Sequence, residues 1–249
     1  MKRMFLIVAA LSLTAVFTGC KKDNNSKTHT FYGTPANVGN GTVSSYVVIN
    51  GNGTPQSLGF TFTKSMLDGL PDDGVTPTYM TMLNLPPQAA ITGFEHLELD
   101  WNPRGHEPEA IYGLPHFDFH AYIVGMDELM QIVPGPDNTP VDPKYIPKDY
   151  TSGVVAVPNM GVHWIDLTSP EFSNTTFTTT YIYGFYKGNM LFGEPMITRD
   201  YLLSKPEVTL DVKQPAEFQK PGYYPTKYRI SYNKQQESYS VSLEGLVKH

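Results

Sequence analysis

Proline and glycine recur along the whole chain and restrict its fold more than any other feature. The sequence contains 21 of each among its 249 residues, and no stretch keeps the 3.6-residue periodicity of a long helix. Between these residues lie short runs with the two-residue alternation of β-strands. The pattern predicts an all-β fold, a sandwich or a barrel, with a few short helical turns.

Two pairs of runs predict β-hairpins. Residues 42–50 and 57–63 lie on either side of a turn that contains Gly-Asn-Gly, which is typical of a hairpin connection. Residues 228–232 and 238–243 flank the polar stretch NKQQE and predict a second hairpin near the end of the chain. Short helical turns are predicted at 64–70, 126–132 and 198–203.

The first twenty residues predict export followed by lipidation. Lys2 and Arg3 precede an apolar run of about fifteen residues, which is too short to cross a bilayer of roughly 30 Å as a helix. The run ends in Phe-Thr-Gly-Cys, which resembles the lipobox of bacterial lipoproteins, and Cys20 is the only cysteine in the chain. We therefore expect a lipoprotein signal peptide at 1–19, a flexible tether with lipidated Cys20 at 20–30, and a single β-rich domain at 31–249.

The expected location is the bacterial cell envelope, where the acyl chains would anchor the protein at the outer membrane, facing the periplasm or the surface. An ordinary cleaved signal peptide, with Cys20 as a bystander, is the alternative. The chain has 18 basic and 24 acidic residues and no basic patch interleaved with aromatic residues, so nucleic acid is not expected as a partner. Exposed sheet edges favour self-association, and a homo-oligomer is a further expectation.

The densest group of chemically active side chains lies in the run His-Phe-Asp-Phe-His. On a strand, alternation places His116, Asp118 and His120 on one face. Phe117 and Phe119 take the other face, which is expected to enter the core. Three side chains that can bind a metal, backed by two phenylalanines, are unusual for a surface strand.

Further candidate ligands lie on either side of this strand. His106, Glu107 and Glu109 precede it, and His163 and Glu194 follow it. Imidazole and carboxylate ligands without sulfur suit a divalent metal such as Zn²⁺, Mn²⁺, Fe²⁺ or Ni²⁺. The predicted ligand set is His116, Asp118, His120 and His163, with His106 and Glu107 as further candidates.

Strand spacing limits which side chains can share one ion. His116 and His120 are about 13 Å apart at Cα on a regular strand. We therefore expect one of them, with or without Asp118, to join His163 and a carboxylate from Glu107, Glu109 or Glu194. If the protein is an enzyme, the ion would act as a Lewis acid or activate a bound water, with Glu109 or Glu194 as the candidate base.

Two other interpretations compete with a metal site. The histidines and carboxylates can form a hydrogen-bond network that only stabilises the fold. His96, which shares a strand face with Glu98 and Asp100, is expected to be structural or exposed. The protein can also be a non-catalytic module that binds a small molecule or a glycan through its aromatic and polar loops.

Several of these blocks together resemble an uncharacterised bacterial family of secreted proteins whose domain has no known function. The blocks are ELDWNP, GHEP, PHFDFH, GVHW and EPMIT, and the resemblance extends from about residue 41 to 246. Ala121 stands where a large aromatic is expected, a difference that affects packing and not ligands. The resemblance implies one secreted domain with a shared polar site, and it implies no substrate.

Overall fold

The computed structural model describes residues 27–249, which form antiparallel β-sheets connected by loops and short helices. The predicted signal peptide, Cys20 and most of the predicted tether lie outside the described residues. The strands are β1 (His29–Tyr32), β2 (Ala36–Val38), β3 (Gly41–Ile49), β4 (Pro55–Thr63), β5 (Tyr79–Asn84), β6 (His96–Asn102), β7 (His116–Tyr122), β8 (Gly135–Pro136), β9 (Tyr150–Ser152), β10 (Val155–Ala156), β11 (Val162–Asp166), β12 (Thr179–Tyr186), β13 (Asn189–Thr198), β14 (Val208–Asp211), β15 (Tyr223–Tyr224), β16 (Lys227–Asn233), β17 (Ser238–Glu244) and β18 (Val247–Lys248).

Two seven-stranded sheets dominate the fold. The first sheet has the order β1-β3-β4-β17-β16-β14, and β2 pairs with β3. The second has the order β5-β6-β7-β13-β12-β11-β9. Two short ribbons, β8 with β10 and β15 with β18, complete the strand pairing of the described residues. The all-β prediction is confirmed as a sandwich, since each large sheet ends in edge strands instead of closing on itself.

The two sheets pack face to face through aromatic side chains. Phe119 on β7 contacts Phe60 edge-on, with ring centroids 5.1 Å apart, and stacks on Phe62 at 6.0 Å. Phe117 lies on the same face of β7 and is also fully buried. Burying one large apolar side chain stabilises the fold by about 1.5–3 kcal/mol, so the alternating phenylalanines of β7 hold the second sheet against the first.

Both predicted hairpins are confirmed, since β3 pairs with β4 and β16 pairs with β17. The predicted helical turns appear as short helices that occupy part of each predicted range. The α-helices are α1 (Glu109–Tyr112), α2 (Met126–Leu129) and α3 (Arg199–Leu203), and the 3₁₀-helices are Lys64–Leu67, Pro87–Thr92, Pro143–Tyr145 and Pro170–Phe172. Thr198 begins α3 by accepting a hydrogen bond from the backbone N–H of Tyr201. Within residues 27–249, no helix is long and apolar enough to span a bilayer.

Candidate metal centre

The second sheet carries a row of polar side chains on the face that points away from the first sheet. Strand alternation forces this arrangement, because Phe117 and Phe119 face the core and their neighbours must face the other way. The pairing of β6 with β7 is in register, so that Glu98 lies opposite His120 and Asp100 lies opposite Asp118. Adjacent strands therefore bring imidazoles and carboxylates together on one surface.

Three groups of side chains on this face have ligand atoms within 4.8 Å of one another. Each group is named by one residue that belongs to no other group. The His106 triad is His106, His116 and Asp118; the His163 triad is His120, His163 and Glu194; the Glu98 triad is Glu98, Asp100 and His120.

The His106 triad has rings and a carboxylate held in fixed orientations. His116 donates from Nδ1 to the carbonyl of Leu114 at 2.7 Å, and His106 donates from Nδ1 to the carbonyl of Glu107 at 2.8 Å. Because a carbonyl only accepts, both rings carry a proton on Nδ1, and each neutral ring has its lone pair on Nε2. Such outer hydrogen bonds are typical of metal-binding histidines.

The Nε2 atoms of both rings lie close to the carboxylate of Asp118. The His116 Nε2 atom lies 3.2 Å from Oδ1 of Asp118, and the His106 Nε2 atom lies 3.7 Å from Oδ2. Asn102 donates from Nδ2 to Oδ2 of Asp118 at 2.6 Å, which fixes the carboxylate and leaves Oδ1 without a hydrogen bond. The His116 side chain is fully buried, whereas 36% of the His106 side chain is exposed, so this triad is reached from solvent at His106.

The His163 triad joins three strands of the second sheet. His120 on β7 places Nε2 3.2 Å from Oε2 of Glu194 on β13, and His163 on β11 places Nε2 3.9 Å from the same oxygen. His120 and Glu194 are each 1% exposed, and 27% of the His163 side chain is exposed. The partly exposed histidine again lies at the solvent side of a buried pair.

The Glu98 triad uses the other side of the His120 ring. The Nδ1 atom of His120 lies 3.8 Å from Oδ2 of Asp100, which is fully buried on β6. Glu98 lies on the same face of β6 and completes the group. His120 therefore belongs to two groups, with one ring nitrogen facing each of them.

The buried polar atoms without a hydrogen-bond partner among residues 27–249 all lie on this face. They are Nε2 of His96, both carboxylate oxygens of Asp100, Nε2 of His116, Oδ1 of Asp118, both ring nitrogens of His120, the hydroxyl of Tyr122 and Oε2 of Glu194. An unpaired buried polar group costs about 1–3 kcal/mol. Nine such atoms lie in one cluster on this face, and two pairs of them, His116 with Asp118 and His120 with Glu194, are 3.2 Å apart.

The four carboxylates on this face have no lysine or arginine beside them. Among the described residues, the ion pairs of Asp100, Asp118 and Glu194 involve only histidine, and Glu98 forms no ion pair. Glu98 is 9% exposed, and the other three are at most 4% exposed. Burial also raises the pKa of Asp100 well above its usual range, because the charged carboxylate is poorly solvated there.

The electrostatics of the face raise the pKa of two histidines. Burial by itself would lower the pKa of His120, but the carboxylates of Glu194 and Asp100 outweigh it and raise the pKa to about 10. Burial would likewise lower the pKa of His106, but Asp118 outweighs this effect and raises the pKa to about 9. Both effects arise because the surrounding carboxylates favour the charged imidazolium.

Two other histidines shift in the opposite direction. Burial and the charge of His120 lower the pKa of His163 to about 3 and that of His96 to about 4. The pKa values of two carboxylates also shift in opposite directions. Burial raises the pKa of Glu194 despite the opposing charge of His120, whereas at Asp118 the nearby imidazoles outweigh burial and hold the pKa well below its usual range.

The structure separates the two histidines of β7. His116 joins the His106 triad and His120 joins the His163 triad, so an ion shared by His116, His120 and His163 does not fit the geometry. The expectation that one β7 histidine meets His163 and a distant carboxylate does fit, with His120 and Glu194 in those positions. The predicted ligands Asp118 and His106 lie in the His106 triad.

Two predicted residues lie away from all three groups. Glu107 and Glu109 are exposed, in the loop before β7 and in the first turn of α1. Their side chains are not directed by the alternation of a strand, and they lie outside the groups of ligand atoms. Glu109 is therefore a poor candidate for a base at this centre. The other candidate base, Glu194, lies inside the His163 triad.

Glu98 and Asp100 are not among the ligands that the sequence predicts, where they appear only as neighbours of His96. The sequence does contain a pattern that indicates these two residues. Residues 96–102 alternate in the same manner as residues 116–122, with acidic groups on one face and Leu and Trp on the other. Pairing these two alternating runs in register would have placed Glu98 and Asp100 beside Asp118 and His120. His96, expected to be structural or exposed, is 5% exposed and stacks on Tyr122.

Comparison with known proteins gives a match to a family model. The model of the TTHB210-like family, described as hypothetical protein TTHB210, matches residues 50–101. No curated protein and no solved structure matches the chain. Over this range the chain is similar to an uncharacterised family. The range includes Glu98 and Asp100 but ends before the GHEP, PHFDFH, GVHW and EPMIT blocks.

Proposed function

We propose that this chain is a lipid-anchored protein of the bacterial cell envelope that binds divalent metal ions at the His106 triad and the His163 triad. Each triad offers two imidazoles and one carboxylate, a ligand set that suits Zn²⁺, Mn²⁺, Fe²⁺ or Ni²⁺. Three protein ligands leave at least one coordination position for water or another ligand, as in catalytic metal sites.

The observation that carries the proposal is the orientation of the His106 triad. Both rings donate from Nδ1 to backbone carbonyls, and Asn102 holds one oxygen of Asp118. Of the remaining atoms, Nε2 of His116 lies 3.2 Å from Oδ1 and Nε2 of His106 lies 3.7 Å from Oδ2, and neither Nε2 of His116 nor Oδ1 has a hydrogen-bond partner. A hydrogen-bond network would pair these atoms, whereas a metal ion between them uses every lone pair.

Metal analysis of the full chain, expressed without a histidine tag, tests this function directly. We expect close to stoichiometric divalent metal, and a His106→Ala variant should lose the share bound at its triad. His106 is partly exposed, so its removal leaves the core intact. His29→Ala is the matched control, because His29 is exposed on β1 and far in the chain from the centre.

A metal content below about a tenth of an equivalent, unchanged when Zn²⁺, Mn²⁺, Fe²⁺ or Ni²⁺ is added to the chelator-treated protein, would contradict the proposal. The cluster would then be a hydrogen-bond and ion-pair network that only stabilises the fold. Equal metal loss in the His106→Ala and His29→Ala variants would also contradict it, because binding would not depend on the triad.

The N-terminal sequence supports the lipid anchor. Cys20 is the only cysteine in the chain and follows a basic head, an apolar run and small residues. Two or three acyl chains give stable membrane attachment, since each buried CH₂ contributes about 0.8 kcal/mol. The anchor would hold the metal centre at the membrane surface of the envelope.

A second candidate function is the binding of a small molecule or a glycan. A cavity of about 240 Å³ is lined by Trp164 and Phe185 together with polar residues such as Asp137 and Asn138. An aromatic floor with a few polar groups is typical of small-molecule sites. A thermal-shift screen of sugars tests it, and loss of any stabilisation in a Trp164→Ala variant would assign the ligand to this cavity.

A further inference from the structure

The ring of His120 lies between two sets of carboxylates. Its Nε2 atom is 3.2 Å from Oε2 of Glu194, and its Nδ1 atom is 3.8 Å from Oδ2 of Asp100. Neither nitrogen has a hydrogen-bond partner, and the residue is 1% exposed. No backbone carbonyl therefore fixes the proton of this ring, in contrast to His106 and His116.

Packing holds the His120 ring in this orientation. Phe192 contacts the ring edge-on, with centroids 4.7 Å apart, and Tyr122 stacks beside it at 5.5 Å with an interplanar angle of 14°. Gly184 gives Phe192 the room it needs, because a Cβ at that position would lie 2.1 Å from the Phe192 ring. Both nitrogens are thereby directed at fixed points on opposite sides of the ring.

We propose that His120 bridges two divalent cations. One ion binds Nε2 of His120 together with His163 and Glu194, and the other binds Nδ1 together with Glu98 and Asp100. This inference rests on the proposed function at the His163 triad and adds the Glu98 triad as a second site.

The bridge has a simple proton balance. With its pKa raised to about 10, His120 carries a proton on each ring nitrogen at neutral pH, so the first ion displaces one proton and the second ion displaces the other. Both protons pass to the solvent, and each nitrogen of the resulting imidazolate donates one lone pair to one ion. Ligands of a metal ion are deprotonated in this way when the ion binds.

The charges of the two sites also balance. Glu98, Asp100, Glu194 and the His120 imidazolate carry four negative charges, and two divalent ions carry four positive charges. His163 binds as a neutral ligand. Without metal, burial disfavours the charged carboxylates and raises the pKa of Asp100 and of Glu194, and a divalent ion at each site would favour their charged forms.

Copper titration of the full chain tests the bridge, with Cu²⁺ alone as the probe. The His106→Ala background removes the other triad from the measurement. We expect about two equivalents of Cu²⁺ at these sites. Because an imidazolate couples the two unpaired electrons, the integrated electron paramagnetic resonance intensity should fall well below that of two independent ions.

Two variants separate the sites. Asp100→Asn should abolish the Nδ1-side ion and His163→Ala the Nε2-side ion, so each should bind about one equivalent and recover the full signal of one uncoupled Cu²⁺. Both replace ligands without removing the His120 ring. Asp127→Asn is the matched control for the first, because Asp127 is exposed on α2, and it should leave both stoichiometry and coupling unchanged.

The possible results are distinguishable. Two equivalents with full, uncoupled intensity would overturn the bridge. One equivalent that is lost in His163→Ala and kept in Asp100→Asn would overturn it as well, while supporting the proposed function at the His163 triad. If no Cu²⁺ binds in this background, the bridge and the proposed ion at the His163 triad both fail, whereas the His106 triad is tested by metal analysis of the unsubstituted chain. Coupling that disappears in both variants and persists in Asp127→Asn supports the bridge.

Discussion

Replacing Asp118 by Asn tests whether the His106 triad holds an ion. An ion present at 100 times its dissociation constant stabilises the folded state by about 2.7 kcal/mol, which raises the Tm of a chain of this length by roughly 5–11 °C. The Asp118→Asn side chain would keep an acceptor for the amide of Asn102 but would lose the negative charge that faces His116. If affinity falls about 100-fold, the triad's contribution falls to about 0.4 kcal/mol, or roughly 1 °C.

Differential scanning calorimetry of the chelator-treated and metal-loaded protein measures this change. Asp127→Asn is the control, because Asp127 is exposed on α2 and should keep the full metal-dependent rise in Tm. An ion at this triad is refuted if no metal raises the Tm of the unsubstituted protein while metal-free Asp118→Asn is strongly destabilised. Breaking a buried ion pair costs about 3–5 kcal/mol, and such a loss would identify Asp118 as a member of a purely structural network.

Three further predictions concern the same centre and the anchor. Asn102→Ala removes the hydrogen bond to Asp118 and should weaken metal binding at that triad about 10–100-fold, measured by competition with a coloured chelator. The pKa of His106 is raised to about 9, so below pH 9 the ion must displace a proton from this ring. Metal affinity at the His106 triad should therefore rise by up to about tenfold per pH unit from pH 7 to 9 and level off above pH 9. Titration calorimetry in buffers of different ionisation heat measures the affinity and the released proton. Cys20→Ser should move the protein from the membrane fraction to the soluble fraction and abolish incorporation of labelled palmitate, and unchanged membrane association would contradict lipidation at this residue.

The stability of the metal-free protein should also follow the two pKa directions. His120 has a folded pKa of about 10, above the usual value near 6.5, so its contribution is complete below pH 6.5 and is lost as pH rises toward 10. His163 has a folded pKa of about 3, so its contribution is complete above pH 6.5 and is lost as pH falls toward 3. Urea unfolding at intervals of one pH unit measures both trends, and a free energy of unfolding that does not change between pH 6.5 and 10 would contradict the first.

Local patterns predicted the elements better than the contacts between them. The hairpin of β3 with β4 follows from two alternating runs around a glycine-containing turn, and that of β16 with β17 follows in the same way. The face of β7 that carries His116 and His120 also follows from alternation alone. These are properties of residues close together in the chain, and the structure confirms each of these strand assignments.

The assignment of ligands to ions needed distances across the sheet. Sequence spacing left open which histidine of β7 meets His163, and it proposed Glu107 and Glu109, which lie in solvent. It did not pair β6 with β7 in register, and so it missed the place of Glu98 and Asp100 beside His120.

The sequence by itself determined the strand-rich class, the two faces of β7 and the supply of imidazole and carboxylate side chains without any thiol beyond Cys20. The tertiary structure decided that three strands distant in sequence, β6, β7 and β13, lie side by side, and that His120 lies between Glu194 and Asp100. The physical reason is range: alternation acts between residues two apart, whereas a metal site depends on atoms within a few ångströms whose positions are set by strand order, register and burial.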